Sequence, residues 1–315
     1  MPRDNGSSAQ VIARESPPRD ACIVCGGRSF ARLFGGRRAP VDTVQSDVYR
    51  ITHATRDLVR AIERCESCGL GVLPARLRED VKPMYQAGED PAYMSSAAER
   101  VRNAQRLLAL LPSMSGRLLD VGCATGFLLV AARDLGFDVQ GIEPSHWAAE
   151  YARREFGLDV WRGVFEEAPI PGASVDVVVL ADAIEHLTAP RAAVASAYRA
   201  LAPGGRLLIL TPDLGSWTAR LAGVHWWGLL DDHYYYFDRR TLAQLLESEG
   251  FVVERQKSFG REFPLQHWLY KLSQYSTGLE RAASGIARGL RMDQLRISVD
   301  LGDQMVCIAR KPTNR

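Results

Sequence analysis

From about residue 95 to the end of the chain, apolar positions switch repeatedly between two spacings. In ERVRNAQRLLALL they fall at Val101, Ala104, Leu107, Leu108 and Leu111, one helix face, so a helix is predicted from Ser95 or Ser96 to the residue before Pro112. Compact apolar runs then alternate with helical stretches: LLDVG before FLLVAARDLG, VQGIEPS before WAAEYARREFG, LDVWRG, VDVVVLADAIEHL before RAAVASAYRALAPGG, RLLILTPD, TLAQLLESEG before FVVERQKS, and a final MVCIARK. A run such as VDVVVLA leaves no polar face, which predicts a strand covered on both sides, as in a parallel sheet. The order predicts a doubly wound α/β domain over residues 95–315. About 45 residues separate FVVERQKS from MVCIARK, long for a connection. Within them Leu265, Trp268, Leu269, Leu279, Ile286 and Leu290 recur at helical spacing among basic residues, predicting one or two amphipathic helices at about 261–294. Such an insertion suits a cap over a pocket, a subunit face or peripheral contact with an anionic membrane.

Toward the N-terminus the pattern changes. FARLF, DVYRITHAT and LVRAIERC are short alternating segments, consistent with a small β-ribbon domain at residues 20–75, joined by a proline- and charge-bearing linker at 76–94. Residues 1–19 are polar, with no apolar leader, and are expected to form a disordered tail. The 315 residues, 46% of them hydrophobic, suffice for about two domains with a sizeable core. No apolar run approaches the ~20 residues that span a bilayer, so a cytoplasmic protein is expected. Net charge is only +2, but residues 83–254 are net acidic while both ends are net basic. A polyanion needs a positive track, which makes nucleic acid an unlikely partner of the central domain and favours a small-molecule acceptor. Nothing in the sequence fixes the oligomeric state.

Four of the six cysteines form two matching units, Cys22-I-V-Cys25-Gly26 and Cys65-E-S-Cys68-Gly69. Two thiolates spaced this way grip one tetrahedral ion from a tight knuckle, and the glycine relieves the turn. The four therefore read as a structural zinc site with no position open to water. A redox dithiol, an iron-sulfur cluster or a knuckle that has lost its metal are the other readings. Cys123 and Cys307 lie in apolar surroundings and read as small hydrophobes.

The loop after LLDVG reads Asp120-Val-Gly122-Cys-Ala124-Thr-Gly126, which is not the G-x-G-x-x-G of a dinucleotide fold. Glu143 closes the second strand in GIEPS, where a carboxylate can accept the hydroxyls of a ribose. The D-x-G-x-x-x-G loop, Glu143, VDVVVLADAIEHL and the LAPGGRLLILTPD segment, in that order, resemble class I S-adenosylmethionine-dependent methyltransferases. The resemblance spans about residues 95–315. It implies a seven-stranded, mostly parallel sheet with an antiparallel last strand, and S-adenosylmethionine as cofactor. It also implies that Asp120, Gly122 and Gly126 order the loop around the donor's amino-acid portion, that Glu143 binds the ribose, that Phe165 lies along the adenine, and that Asp182 faces the methionine part or the acceptor. Ala124 stands where that family often has glycine, a change tolerated unless the backbone needs a positive φ.

Two stretches could activate an acceptor. Asp182, Glu185 and His186 would share one face of a helix, and His233 follows the fifth strand in DDHYYYF. A similar E-x-x-E-H element occurs in small-RNA 3′-end methyltransferases and ubiquinone-pathway O-methyltransferases, and the RNA enzymes add a later histidine that binds a divalent ion. Here Asp182 replaces the first glutamate. His233 is thus a candidate general base, and Asp182, Glu185, His186 and His233 a candidate catalytic cation site. Trp217, Trp226, Trp227 and Tyr234–Tyr236 are expected to form an aromatic lid over the acceptor. CxxCG pairs joined to such a domain resemble bacterial zinc-ribbon methyltransferases of sugar and secondary-metabolite pathways. An RNA methyltransferase and a noncatalytic adenosyl-binding scaffold are the alternatives.

Overall fold

The structure is a computed structural model that describes residues 21–35, 61–74, 91–112, 115–230, 232–273, 276–292 and 295–313. The expected tail at 1–19, the segment DVYRITHAT, most of the linker at 76–94, and Asp231 lie outside the described residues. The N-terminal strands are β1 (Phe30–Phe34), β2 (Ile62–Cys65) and β3 (Gly71–Val72). A single turn at Pro91–Met94 precedes α1 (Ala97–Leu108). There follow β4 (Gly116–Val121), α2 (Phe127–Asp134), β5 (Phe137–Glu143), α3 (His146–Phe156), β6 (Asp159–Arg162), β7 (Val175–Ala181), α4 (Pro190–Ala200), β8 (Leu201–Pro212), α5 (Trp217–Ala222) and β9 (Tyr235–Tyr236). The chain continues with α6 (Arg239–Ser248), β10 (Val252–Ser258), β11 (Arg261–Pro264), α7 (Leu265–Ser273), α8 (Thr277–Gly289), β12 (Arg296–Val299) and β13 (Gln304–Arg310).

The central sheet has seven strands in the order β10-β13-β8-β7-β4-β5-β6. Strands β4 to β8 pair in parallel, and β13 runs antiparallel to both β8 and β10. Strand order reverses between β4 and β7, so the crevice outside their carboxyl ends is where a ligand binds in an open α/β sheet. The run VDVVVLA behaves as its composition demands. Val177 and Val179 pack in the cluster formed with α1, α2 and α3, whereas Val178 and Leu180 pack in the opposite cluster with α4 and α6. At β8, pairing with β7 jumps from Val175↔Leu201 to Val177↔Arg206, so Pro203-Gly204-Gly205 forms a break within one long strand.

The cysteine ribbon shares a sheet with the larger domain. Strands β1, β2 and β3 are completed by β9, with Gly71 opposite Tyr236 and Val72 opposite Tyr235, and the Leu73 amide donates to the Tyr234 carbonyl at 2.9 Å. Two arginines add to the join. Arg191 on α4 donates from Nε to the Ile23 carbonyl (2.7 Å) and from Nη2 to that of Val24 (3.1 Å), and Arg240 on α6 donates to the Cys68 carbonyl. Ribbon residues Cys22, Val24, Ile62, Leu70 and Leu73 belong to the same apolar cluster as Val178, Leu242 and Tyr234–Phe237.

Helices α7 and α8 lie between β10 and β13, with two features the apolar spacing did not reveal. Strands β11 and β12 pair with each other, Arg261 opposite Val299, and frame α7 and α8 as a small hairpin. Leu279, Ile286 and Leu290 are exposed. No helix among the described residues is long and apolar enough to cross a membrane.

The ribbon join makes a sharp forecast. A Cβ at Gly71 would stand 2.8 Å from Leu214 Cδ2 and 2.9 Å from Tyr236 Cβ, so Gly71→Ala should cost about 1–3 kcal/mol by overpacking. Gly285, inside α8 with nothing within 4 Å, should give the opposite sign when replaced by alanine, about 0.5–1 kcal/mol of stabilisation. Denaturant melts of the two variants check both.

Candidate methyl-donor and acceptor site

The loop between β4 and α2 follows from its glycines. Gly122 has φ 77° and Gly126 φ 86°, a conformation that disfavours any side chain, and a Cβ at Gly126 would lie 2.5 Å from Leu158 Cδ1. Ala124, at φ 48°, is also left-handed. The position does need a positive φ, so alanine there is strained, by roughly 1–2 kcal/mol for a residue with a Cβ.

Glu143 fastens this loop to the end of β5. One carboxylate oxygen accepts the Ala124 amide at 2.8 Å and the other the Ser145 amide at 2.7 Å, which leaves a lone pair on each for a hydroxyl. Asp120 and Glu143 are both buried. Burial, then the nearby Glu143 charge, raises Asp120 to about 8. Burial likewise raises Glu143 to about 7, against the pull of its two backbone hydrogen bonds. Two buried carboxylates that form no ion pair among the described residues suit a positively charged ligand. A sulfonium nucleoside with an ammonium group fits that donor set. Phe165 packs inside the ribbon-side cluster.

Beyond β7 the expected helix is absent. Asp182 has φ 51°, and Ile184–His186 forms a single 3₁₀ turn, so Asp182 does not share a helix face with Glu185 and His186. Asp182 instead pairs with Arg261 and accepts from Gln304 Nε2 at 3.3 Å. Glu185, His186 and His233 do come together: one ligand atom of each lies within 4.8 Å of the others, and the two imidazoles meet edge to face at 4.5 Å. The His233 Nδ1 is 3.0 Å from the Gly228 carbonyl, and the His186 Nδ1 3.1 Å from that of Asp232. A carbonyl only accepts, so each Nδ1 carries a proton and each Nε2 is left as the basic or metal-binding nitrogen. Burial and then His186 hold His233 down to about 4, so it is neutral at pH 7. For His186 burial also opposes charge, but the Asp232 and Glu185 carboxylates outweigh it and raise it. Burial raises Glu185 to about 7, although His186 and a 3.0 Å hydrogen bond from Thr211 Oγ1 favour its anion.

The aromatic lid is a correction. Tyr234, Tyr235, Tyr236 and Trp226 are buried, because β9 is a sheet strand covered by the ribbon, and only Trp217 is largely exposed. Sequence reasoning also missed Arg261, Gln304 and Thr211, whose partners lie far away in the chain and carry no local signal.

The four ribbon sulfurs lie within 4.8 Å of one another, with Cys22 to Cys68 at 3.4 Å and Cys25 to Cys65 at 3.6 Å. Four thiolates on zinc, each at about 2.3 Å, would be about 3.8 Å apart, so the set fits that ion. Both knuckles fold alike: the Gly26 amide donates to the Cys22 carbonyl and the Gly69 amide to that of Cys65, each at 2.8 Å, with both glycines at positive φ.

With this geometry, the sheet order and the donor edge define the class I methyltransferase fold. Residues 93–256, just over half of the chain, match the family described as a methyltransferase domain, and the chain belongs to that family. It is 34% identical over 142 residues to a probable S-adenosylmethionine-dependent methyltransferase of Mycolicibacterium smegmatis, covering 44% of this chain and 52% of that protein. Against the 27-O-demethylrifamycin SV methyltransferase of Amycolatopsis mediterranei it is 36% identical over 132 residues, covering 38% of this chain and 47% of that one. The chain thus spans about half the length of the curated relatives it matches. A chain from the complex between the Haloferax volcanii Trm112 methyltransferase activator and a methyltransferase superposes with a TM-score of 0.54 at 17% identity, covering 75% of this chain and 99% of that one, which shows the fold.

The titration of Asp120 has a definite sign. A folded value near 8 against an unfolded value near 4 means that the native state holds the extra proton, so stability is full below about pH 4 and is lost as pH rises toward 8. Asp120→Asn should therefore raise the melting temperature of the ligand-free protein at pH 8 more than at pH 5, while weakening donor binding. For the ribbon, elemental analysis of protein purified without added metal should find about one zinc per chain, lost in the Cys65→Ser, Cys68→Ser double variant.

Proposed function

We propose that this protein transfers the methyl group of S-adenosylmethionine to a hydroxyl of a small molecule, such as a sugar, lipid-linked or secondary-metabolite intermediate. The observation that carries the reading is the convergence of two sites at one sheet edge, the buried Asp120–Glu143 donor pair and the Glu185–His186–His233 cluster. The donor supplies a methyl on a positively charged sulfur, open to in-line attack. Glu143 holds the ribose, Asp120 opposes the positive charge, and Gly122 and Gly126 let the backbone come close. Holding the acceptor oxygen in line with that methyl does much of the work. Neutral His233 takes the hydroxyl proton on Nε2, while its Nδ1 bond to Gly228 fixes the ring. The net-acidic middle of the chain favours a small acceptor over RNA, and the name of the rifamycin relative supports oxygen as the attacked atom. The zinc ribbon serves as structure, which suits a reducing compartment such as the cytoplasm.

A second reading rests on the three ligand atoms within 4.8 Å, each imidazole oriented by a backbone carbonyl. Glu185, His186 and His233 would then hold a divalent ion that lowers the acceptor's pKa, with Asp182 outside the set.

Labelled donor and a metabolite extract supply the assay. His233→Ala should slow turnover by ~10²–10⁴-fold with donor affinity near wild type, as expected for loss of a general base. Turnover within about threefold of wild type would remove His233 from the chemistry. Under the cation reading, Glu185→Ala and His186→Ala are equally damaging, and chelator abolishes turnover until a divalent ion returns.

A further inference from the structure

The donor proposed above carries a carboxylate as well as an ammonium and a sulfonium, yet Asp120, Glu143 and Asp182 are all acidic. The insertion brings a cation to this edge. Arg261, the first residue of β11, pairs through Nη2 with Asp182 and donates from Nε to Gln304 Oε1 at 2.6 Å. Gln304 closes the triangle by donating to the other Asp182 oxygen. Nη1 has no hydrogen-bond partner among the described residues, so one arm of the fork is free.

The triangle stands at the mouth of the glycine loop. Ala183, next to Asp182, lies against Gly122, where an added Cβ would be 3.3 Å from the Ala183 Cβ. Tyr93 lines the same mouth: its ring stacks on Phe127, the first residue of α2, at 5.8 Å between centroids, and the Arg100 guanidinium sits 3.5 Å from the Tyr93 centroid. Tyr93 is in electrostatic reach of Asp120, Asp182 and Arg261 together. Strand β11 is also pinned. Asn103 on α1 donates to the Glu262 carbonyl and accepts the Glu262 amide, both at 2.8 Å, which fixes the residue beside Arg261.

We propose that Arg261 binds the amino-acid carboxylate of the methyl donor, with Asp182 taking the adjacent ammonium. This rests on the donor reading given above. A guanidinium and a carboxylate already held side by side present the complement of a zwitterion, and a fork with a free arm suits a carboxylate better than a point charge does. Asp182 keeps the guanidinium oriented before the ligand arrives, so little side-chain order remains to be imposed on binding. The insertion thereby becomes part of the donor site.

The test compares S-adenosylmethionine with its decarboxylated analogue, which keeps the sulfonium, the amine and the adenosine, by calorimetry on the full chain. Wild type should bind the parent compound at least 10-fold more tightly. Arg261→Met should weaken the parent by about 10–100-fold, the worth of a charge-assisted hydrogen bond, and leave the analogue within about threefold. Arg261→Lys, which keeps the charge without the fork, should fall between. Equal loss of both ligands in Arg261→Met, or equal wild-type affinity for the two, overturns the assignment; the wild-type comparison decides even where a variant fails to fold. Wild type that binds neither compound overturns the donor reading itself, and this assignment with it.

Discussion

Two pairs of residues, Gly71 with Tyr236 and Val72 with Tyr235, tie the cysteine ribbon to the methyltransferase-fold domain. The pairing is short, but it fixes what surrounds it. Tyr234–Phe237 are buried because the ribbon lies against them, and His233 enters its site at the end of that buried run. The Tyr234 amide donates to the Glu185 carbonyl at 2.9 Å, so the strand that meets the ribbon also touches the turn that carries Glu185 and His186. The four ribbon cysteines and the paired histidines thus lie at two ends of one short chain of contacts.

On the opposite flank the donor edge is fixed by burial. Asp120 sits between buried Leu119 and Val121, and Glu143 follows buried Ile142, so the carboxylates are held out of water by the core around them. Under the proposed function, the attraction of a cationic donor would offset the free energy of desolvating them.

Much of this was legible in the sequence. Compact apolar runs alternating with helical spacing located the seven central strands, and two spaced cysteine pairs sufficed for the ribbon knuckles, because both signals are local. What could not be read depends on residues far apart. The run Tyr234–Tyr236 has the composition of a lid, and only its pairing with β3 turns it into core. Asp182 has the spacing of a helix face with Glu185 and His186, and its left-handed backbone and the pull of Arg261, 79 residues away, take it elsewhere. The alanine at position 124 read as harmless because its φ is a property of the folded loop.

The join between β3 and β9 also bears on the order of synthesis. A ribosome releases the N-terminus first, so β1, β2 and β3 emerge well before Tyr235 and Tyr236. Until then the ribbon is one strand short, with the edge of β3 open and Leu70 and Leu73 uncovered. An unpaired edge of this kind invites pairing with another chain. The turn hydrogen bonds of each knuckle, Gly26 to Cys22 and Gly69 to Cys65, are local and can form during that interval, whereas the bonds from Arg191 and Arg240 wait for the later domain, which completes a partly formed template.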